Sequence, residues 1–228
     1  SDSDWSSDVC SSDLDDQGNQ MPYIEELIWK INPSSETSLL QFRSGDLDMI
    51  GVSPTYFSLL KSEEQRGDFT IHNGGQNLGT SYFTLNQNRA SRNGKPLINP
   101  IKSRWFNSVA FRQAVSYGID RQKLINNTYQ GLGQPQTSPI SVQSPYYAPP
   151  EEGIPDYPYD LEKARQLLLD EGFQYNAAGE LLDWDGNRVR FTLNAPSGSK
   201  TSESNGAQIK QDLAKLGIQV DFQPLAFN

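Results

Sequence analysis

Alternation of strand and helix signals along the chain predicts an α/β fold. Three observations carry the prediction. Residues 27–52 read as strand, helix and strand in a space short enough for one βαβ unit, which implies parallel strands joined by a right-handed crossover. Residues 189–222 read in the same order. A helix closed by glycine and a large apolar residue occurs twice, at Glu171-Gly172-Phe173 and at Leu216-Gly217-Ile218.

The elements follow from local chemistry. Leu27, Trp29 and Ile31 alternate with polar residues, the period of a half-buried strand over 27–32. Pro33-Ser34-Ser35 supplies helix-start chemistry, Leu39, Leu40 and Phe42 an apolar face, and Gly45 a left-handed cap. Residues 46–52 (DLDMIGV) predict a second strand, broken at Ser53-Pro54 because proline donates no ladder hydrogen bond. A helix is expected over 56–64. Strands are expected over 69–72 and 81–86, separated by a turn at Gly74-Gly75, and 89–101 reads as a loop.

Ser108 can cap the next helix, with Phe111, Ala114, Val115 and Gly118 inward. Asp120 can cap the one after it, its carboxylate near the positive end of the helix dipole. Residues 131–158 hold seven prolines and must be extended and irregular, and the tyrosines in and beside that stretch favour packing over the body. Asp160 caps a helix with Leu161, Ala164, Leu167 and Leu168 inward and Gly172 as its stop. Residues 189–194 predict a strand, 207–216 a helix, and Ile218, Val220 and Phe222 a closing strand. Unpaired strand edges predict that this chain folds poorly by itself.

Bulk composition narrows the class. With 228 residues, 35% hydrophobic and 11% aromatic, the chain is globular rather than disordered. Its apolar runs are too short to span a bilayer, and the first residues lack the basic start and apolar core of a signal peptide. Residues 5–14, WSSDVCSSDL, resemble the in-frame translation of a sequencing-adapter oligonucleotide. Residues 1–14 are therefore set apart from the fold, as such a scar or as a disordered Ser/Asp tail. The single cysteine, Cys10, lies there. The formal charge is −9; residues 1–14 carry four aspartates and no base, which leaves −5 on residues 15–228. A mildly acidic surface argues against nucleic acid or anionic lipid as a partner.

Catalytic and metal chemistry find little support. Asp46 and Asp48, two apart on a strand, would point to one face and could do acid–base work, but the strand edge gives them a structural role. One histidine, His72, builds no metal site, and there is no Cys or His cluster. No Gly-x-Ser-x-Gly elbow or other nucleophile–base pair is present, and Gly94-Lys95-Pro96 is not a phosphate loop. No cofactor, no metal and no enzymatic activity are expected.

Residues 106–135 carry the most specific pattern: Arg112 and Ala114 on one helix, the pair Asp120-Arg121 at a junction, and a Gly-Leu-Gly-x-Pro turn ending at Pro135. This pattern resembles the extracellular solute-binding proteins of family five, the oligopeptide, dipeptide and nickel receptors of ABC importers. Further similar segments follow in the family's order: residues 16–23, Ser44-Gly45-Asp46-Leu47-Asp48, 82–86, 164–168 with Gly172-Phe173, and 207–220. The resemblance implies a periplasmic-binding-protein-like fold of type II, with two lobes, mixed sheets and truncation at both ends. Residues 15–129 would be part of lobe one and 130–228 the start of lobe two.

The same resemblance implies a function. The protein would bind a solute, most readily an oligopeptide, between its lobes and deliver it to the permease subunits of an ABC importer. A monomer is expected, periplasmic or extracellular, held at the membrane through its transporter or a lipid anchor. The aspartate that pairs with a peptide's α-amino group in family members would lie downstream of this chain. Residues 82–86 resemble the strand that carries an aromatic, here Tyr82, and an asparagine to the cleft, and Asn86 and Gln87 fall where members touch ligand backbone. Asn and Gln each offer a donor and an acceptor to peptide groups that must stay paired when water leaves, and aromatics wall the cleft. Against this, Tyr82 could pack in a core and Asn86 could close a turn. Ser53 and Tyr56 follow a strand's carboxyl end, where α/β clefts lie. Arg112, Asp120 and Arg121 are assigned to structure, with Asp120 as a cap. Two rival readings stand: a hydrolase on a similar α/β scaffold using Asp46 and Asp48, and a sensory receptor with the same fold.

Overall fold

The computed structural model describes residues 14–24, 26–32, 34–75 and 79–226. Pro33 and nearly all of the 1–14 stretch lie outside them. The chain divides into two units, Ser1–Ile50 and Gly51–Asn228.

In the first unit, helix α1 spans Ser35–Ser44. The Ser34 hydroxyl accepts from the Thr37 amide at 3.2 Å, satisfying one free N–H of the first turn. Gly45 closes the helix at φ 85°, and the Asp46 amide reaches back to the Gln41 carbonyl at 2.8 Å. The strands expected over 27–32 and 46–52 are not formed. An alternating pattern makes a strand only when a second backbone pairs with it, and none does among the described residues. A side chain bridges the two segments instead, Lys30 donating to the Asp46 carbonyl, while the Asn32 amide donates to Ser38 and Gln41 of α1. Trp29 and Ile31 are consequently left open to solvent.

The second unit begins with α2, Pro54–Gly67, which ends at Asp68 with φ 51°. No ladder forms over 69–72 or 81–86 either. The region read as a loop contains a hairpin, β1 (Ser91–Arg92) against β2 (Lys95–Pro96), turned by Asn93-Gly94 with both φ positive. Asn-Gly is the pair such a turn selects. Helix α3, Pro100–Asn107, starts there too, because the Asn99 side chain accepts from the amides of Ile101 and Lys102 ahead of a proline that needs no donor.

Helices α4 (Val109–Gly118), α5 (Arg121–Tyr129) and α6 (Leu161–Asp170) start on Ser108, Asp120 and Asp160, each of whose side chains accepts from a first-turn amide. A hairpin of β3 (Gln174–Tyr175) and β4 (Leu181–Leu182) follows. Then β5 (Arg190–Pro196) and β6 (Gln219–Leu225) run parallel, in register from Arg190 opposite Gln219 to Pro196 opposite Leu225. Helix α7, Lys200–Ala214, is their crossover; it begins at Lys200 rather than Ala207. Gly206 sits mid-helix because a Cβ there would enter the Phe222 ring on β6.

One core joins these elements. Phe111, Ala114, Ala164, Leu168 and Leu213 are fully buried along α4, α6 and α7, as is Leu216 just past the end of α7. Phe111 stacks on Phe173 at 5.6 Å, and Phe106 meets Phe191 of β5 edge-on at 5.5 Å. The core runs on both sides of residue 130 without a break.

Two buried acids are matched to donors. Asp183, only 3% exposed, accepts from Trp105 Nε1 at 2.9 Å and from the Asn187 and Asp185 amides. Burial alone would raise its pKa; these donors outweigh it and hold the carboxyl below its ordinary value. Asp212, fully buried, takes Lys215 Nζ at 2.7 Å, Gln208 Nε2 at 3.1 Å and the Asp120 amide at 3.3 Å.

Candidate ligand-binding site

Residues 79–88 form an extended strip rather than a paired strand. Phe83 and Leu85 turn in and pack against the core, while Tyr82, Thr84 and Asn86 turn out. The alternation that suggested a strand is therefore real, and only its ladder partner is lacking among the described residues. Tyr82 is 81% exposed, so it is not a core residue. The Asn86 side chain accepts from the Asn88 amide at 3.1 Å and so closes a local turn. Gln87 is exposed, and its carbonyl accepts from Asn107 Nδ2 at 3.5 Å. Tyr82 and Asn86 thus share one open face.

Ser53 and Tyr56 lie elsewhere, at the start of α2. Ser53 makes no side-chain capping bond; its carbonyl accepts from the Tyr56 amide at 3.0 Å. Tyr56 has the Lys200 ammonium 5.8 Å from its ring centre, within cation–π range. Asp46, in the first unit, accepts from Ser44 Oγ at 2.9 Å and stands at the end of α1 rather than on a strand.

The remaining motif residues hold backbone. Arg112 donates to the Phe106 carbonyl at 2.9 Å. Asp120 caps α5 through the Lys123 amide at 2.9 Å. Arg121 is half-buried and donates to the carbonyls of Ser116 and Tyr157, which staples the proline-rich stretch to the α4–α5 corner. Burial lowers its pKa, and the nearby Asp156 opposes that.

Sequence reasoning missed a hydroxyl and amide cluster at the end of α5. Thr128 meets Ser204 at 2.9 Å, Tyr129 Oη donates to Ser81 at 3.1 Å, and Asn205 Nδ2 donates to Tyr129 Oη at 2.8 Å. Ser58 donates to Gln130 Oε1 at 2.5 Å. The signal was a polar run, Thr201-Ser202-Glu203-Ser204-Asn205, whose low helix propensity hid the first two turns of α7. An open hollow of about 330 Å³ lies apart from all these residues, lined by Glu180, Arg188, Lys210 and Gln219 among others. Among the described residues, no group of three or more His, Cys, Asp or Glu could hold a metal ion, and no helix is long and apolar enough to cross a membrane.

The model of bacterial extracellular solute-binding proteins, family 5 Middle, matches residues 5–228. The chain belongs to this family. Its relatives include the oligopeptide-binding protein AppA of Bacillus subtilis, 26% identical over 209 residues, which cover 92% of this chain and 35% of that protein. The solved structure of that AppA in complex with a nonapeptide superposes with a TM-score of 0.67, covering 86% of this chain and 35% of that one. NikA from Brucella suis in complex with Fe(III)-EDTA, at 22% identity, has a TM-score of 0.62 over 86% of this chain and 36% of its own, and shows the shared fold. These neighbours are type II periplasmic binding proteins, so the fold is the α/β architecture of that class. The chain spans about a third of the length of the relatives it matches.

Proposed function

We propose that this chain is a segment of the substrate-binding component of an ABC importer whose solute is a peptide. The observation that carries the reading is the similarity to AppA, which holds in sequence over 92% of the chain and in backbone at a TM-score of 0.67, to a structure containing a nonapeptide. The open strip with Tyr82, Asn86 and Gln87 supports it: exposed amides beside an exposed aromatic suit an extended backbone ligand. Residues 15–129 and 130–228 would contribute to successive lobes, with the solute between them and permease subunits as partners of the closed form. Closure would select solute through its greater affinity for the closed state. The protein would act outside the cytoplasmic membrane, as a monomer, without catalysis.

The test is uptake of a labelled oligopeptide by cells that carry or lack the complete protein. Loss of uptake on deletion, restored by the gene, is expected. Normal uptake in the deletion strain together with an altered transcriptional response to peptide would place the protein among sensory receptors instead.

A further inference from the structure

We propose that Tyr129 is a positioning residue for the ligand-facing strip, acting through Ser81. This rests on the reading of Tyr82, Asn86 and Gln87 as peptide contacts. Residues 80–88 form no β-ladder among the described residues, so their backbone is fixed by other means. Inward packing of Phe83 and Leu85 fixes depth, and the 3.5 Å bond from Asn107 Nδ2 to the Gln87 carbonyl holds the far end, which leaves the start of the strip free to slide. Directional bonds at the start of the strip remove that freedom. Thr80 donates to Gln136 at 2.9 Å, and Ser81 receives the Tyr129 hydroxyl at 3.1 Å.

The phenol is itself held. Asn205 Nδ2 donates to it at 2.8 Å, so its oxygen accepts from α7 and its proton is left for Ser81. The chain Asn205 to Tyr129 to Ser81 therefore ties α7, α5 and the residue before Tyr82 together. Asn205 Oδ1 is buried without a partner among the described residues, and its amide donation to Tyr129 anchors that side chain. Neighbouring residues make contacts of other kinds: Thr128 of α5 bonds Ser204 of α7, and Gln130, just past the end of α5, bonds Ser58 of α2. The three positions can thus be separated by experiment.

The test uses the complete receptor, titrated with a nonapeptide by calorimetry. Tyr129→Phe removes the proton and keeps the ring. Its Kd is expected to rise about fivefold to tenfold, the loss of one directional hydrogen bond. Ser81→Ala should give the same loss, and the double variant should be no worse than either single one. Thr128→Val should lower Tm by at least as much as Tyr129→Phe while leaving Kd unchanged. Unchanged Kd in Tyr129→Phe, or equal weakening in Thr128→Val, overturns the positioning role. If Tyr129→Phe does not fold, Ser81→Ala decides alone: weaker binding supports the role and unchanged binding overturns it. If the wild-type receptor binds no peptide, the peptide reading fails and this role with it.

Discussion

Phe111→Ala tests where the stability of the second unit resides. The ring is fully buried on α4, stacked on Phe173 at 5.6 Å and tilted against Phe106 at 6.4 Å. In the same cluster stand Ala114, Ala164 and Leu168, small or already packed, on helices whose first turns are capped by Ser108 and Asp160. Such a site collapses poorly, so both the transfer and the cavity cost apply, about 3–5 kcal/mol. For a unit of this size each kcal/mol shifts Tm by about 2–4 °C, which gives a fall of roughly 6–20 °C. Near-ultraviolet circular dichroism reads it, because Trp105, Phe173 and Trp184 lie in or beside the same cluster. The sequence pattern alone predicts poor folding of the 228-residue chain from unpaired strand edges, but the core shared by residues 105–220 outweighs that argument, and a cooperative transition is expected. A shift under about 1 °C, or no transition in the wild type, would refute the claim that this core holds the unit.

Other consequences are smaller or more local. Gly217→Ala should lower Tm by several degrees, since φ is 71° and the new Cβ would lie 2.5 Å from the Gly179 carbonyl oxygen; an unchanged Tm contradicts the turn geometry. Asp183 is held below its ordinary pKa, so its stabilisation is complete above the unfolded value of about 3.9 and is lost as pH falls through the folded one. The Tm gap between wild type and Asp183→Asn should thus be widest near neutrality and narrow below about pH 4; a gap independent of pH contradicts the assignment. Tyr82→Ala should weaken peptide binding in the complete receptor with little change in Tm, because the ring is 81% exposed; an equal loss of stability would return Tyr82 to the core.

Helices were legible because their ends are chemical. Ser34, Ser108, Asp120 and Asp160 each cap a helix, and Gly45 closes one in the left-handed region. The order strand, helix, strand over β5, α7 and β6 was legible because half-buried strands are written as apolar alternation and Gly217 closes the helix between them, while their parallel pairing came only from the structure. Strands at 27–32, 46–52, 69–72 and 81–86 were misread for one physical reason. Alternation reports a half-buried surface, and pairing depends on a second backbone that the pattern does not contain. At 81–86 the buried and exposed faces came out as written, and the ladder did not. The start of α7 was hidden by a Ser- and Asn-rich run that only tertiary contacts make helical. Of the candidate site, Tyr82 and Asn86 share an open face, but Ser53 and Tyr56 stand apart on α2. The Tyr129 junction depends on residues 48 and 76 positions distant, beyond the reach of local pattern.

Titration of the complete receptor with oligopeptides tests the central claim most directly. Saturable heat with a peptide of about the length seen in AppA, absent with free sugars and metal chelates, is the predicted result. No heat with any peptide, together with tight binding of a sugar or a metal chelate, would contradict it and leave only the receptor class.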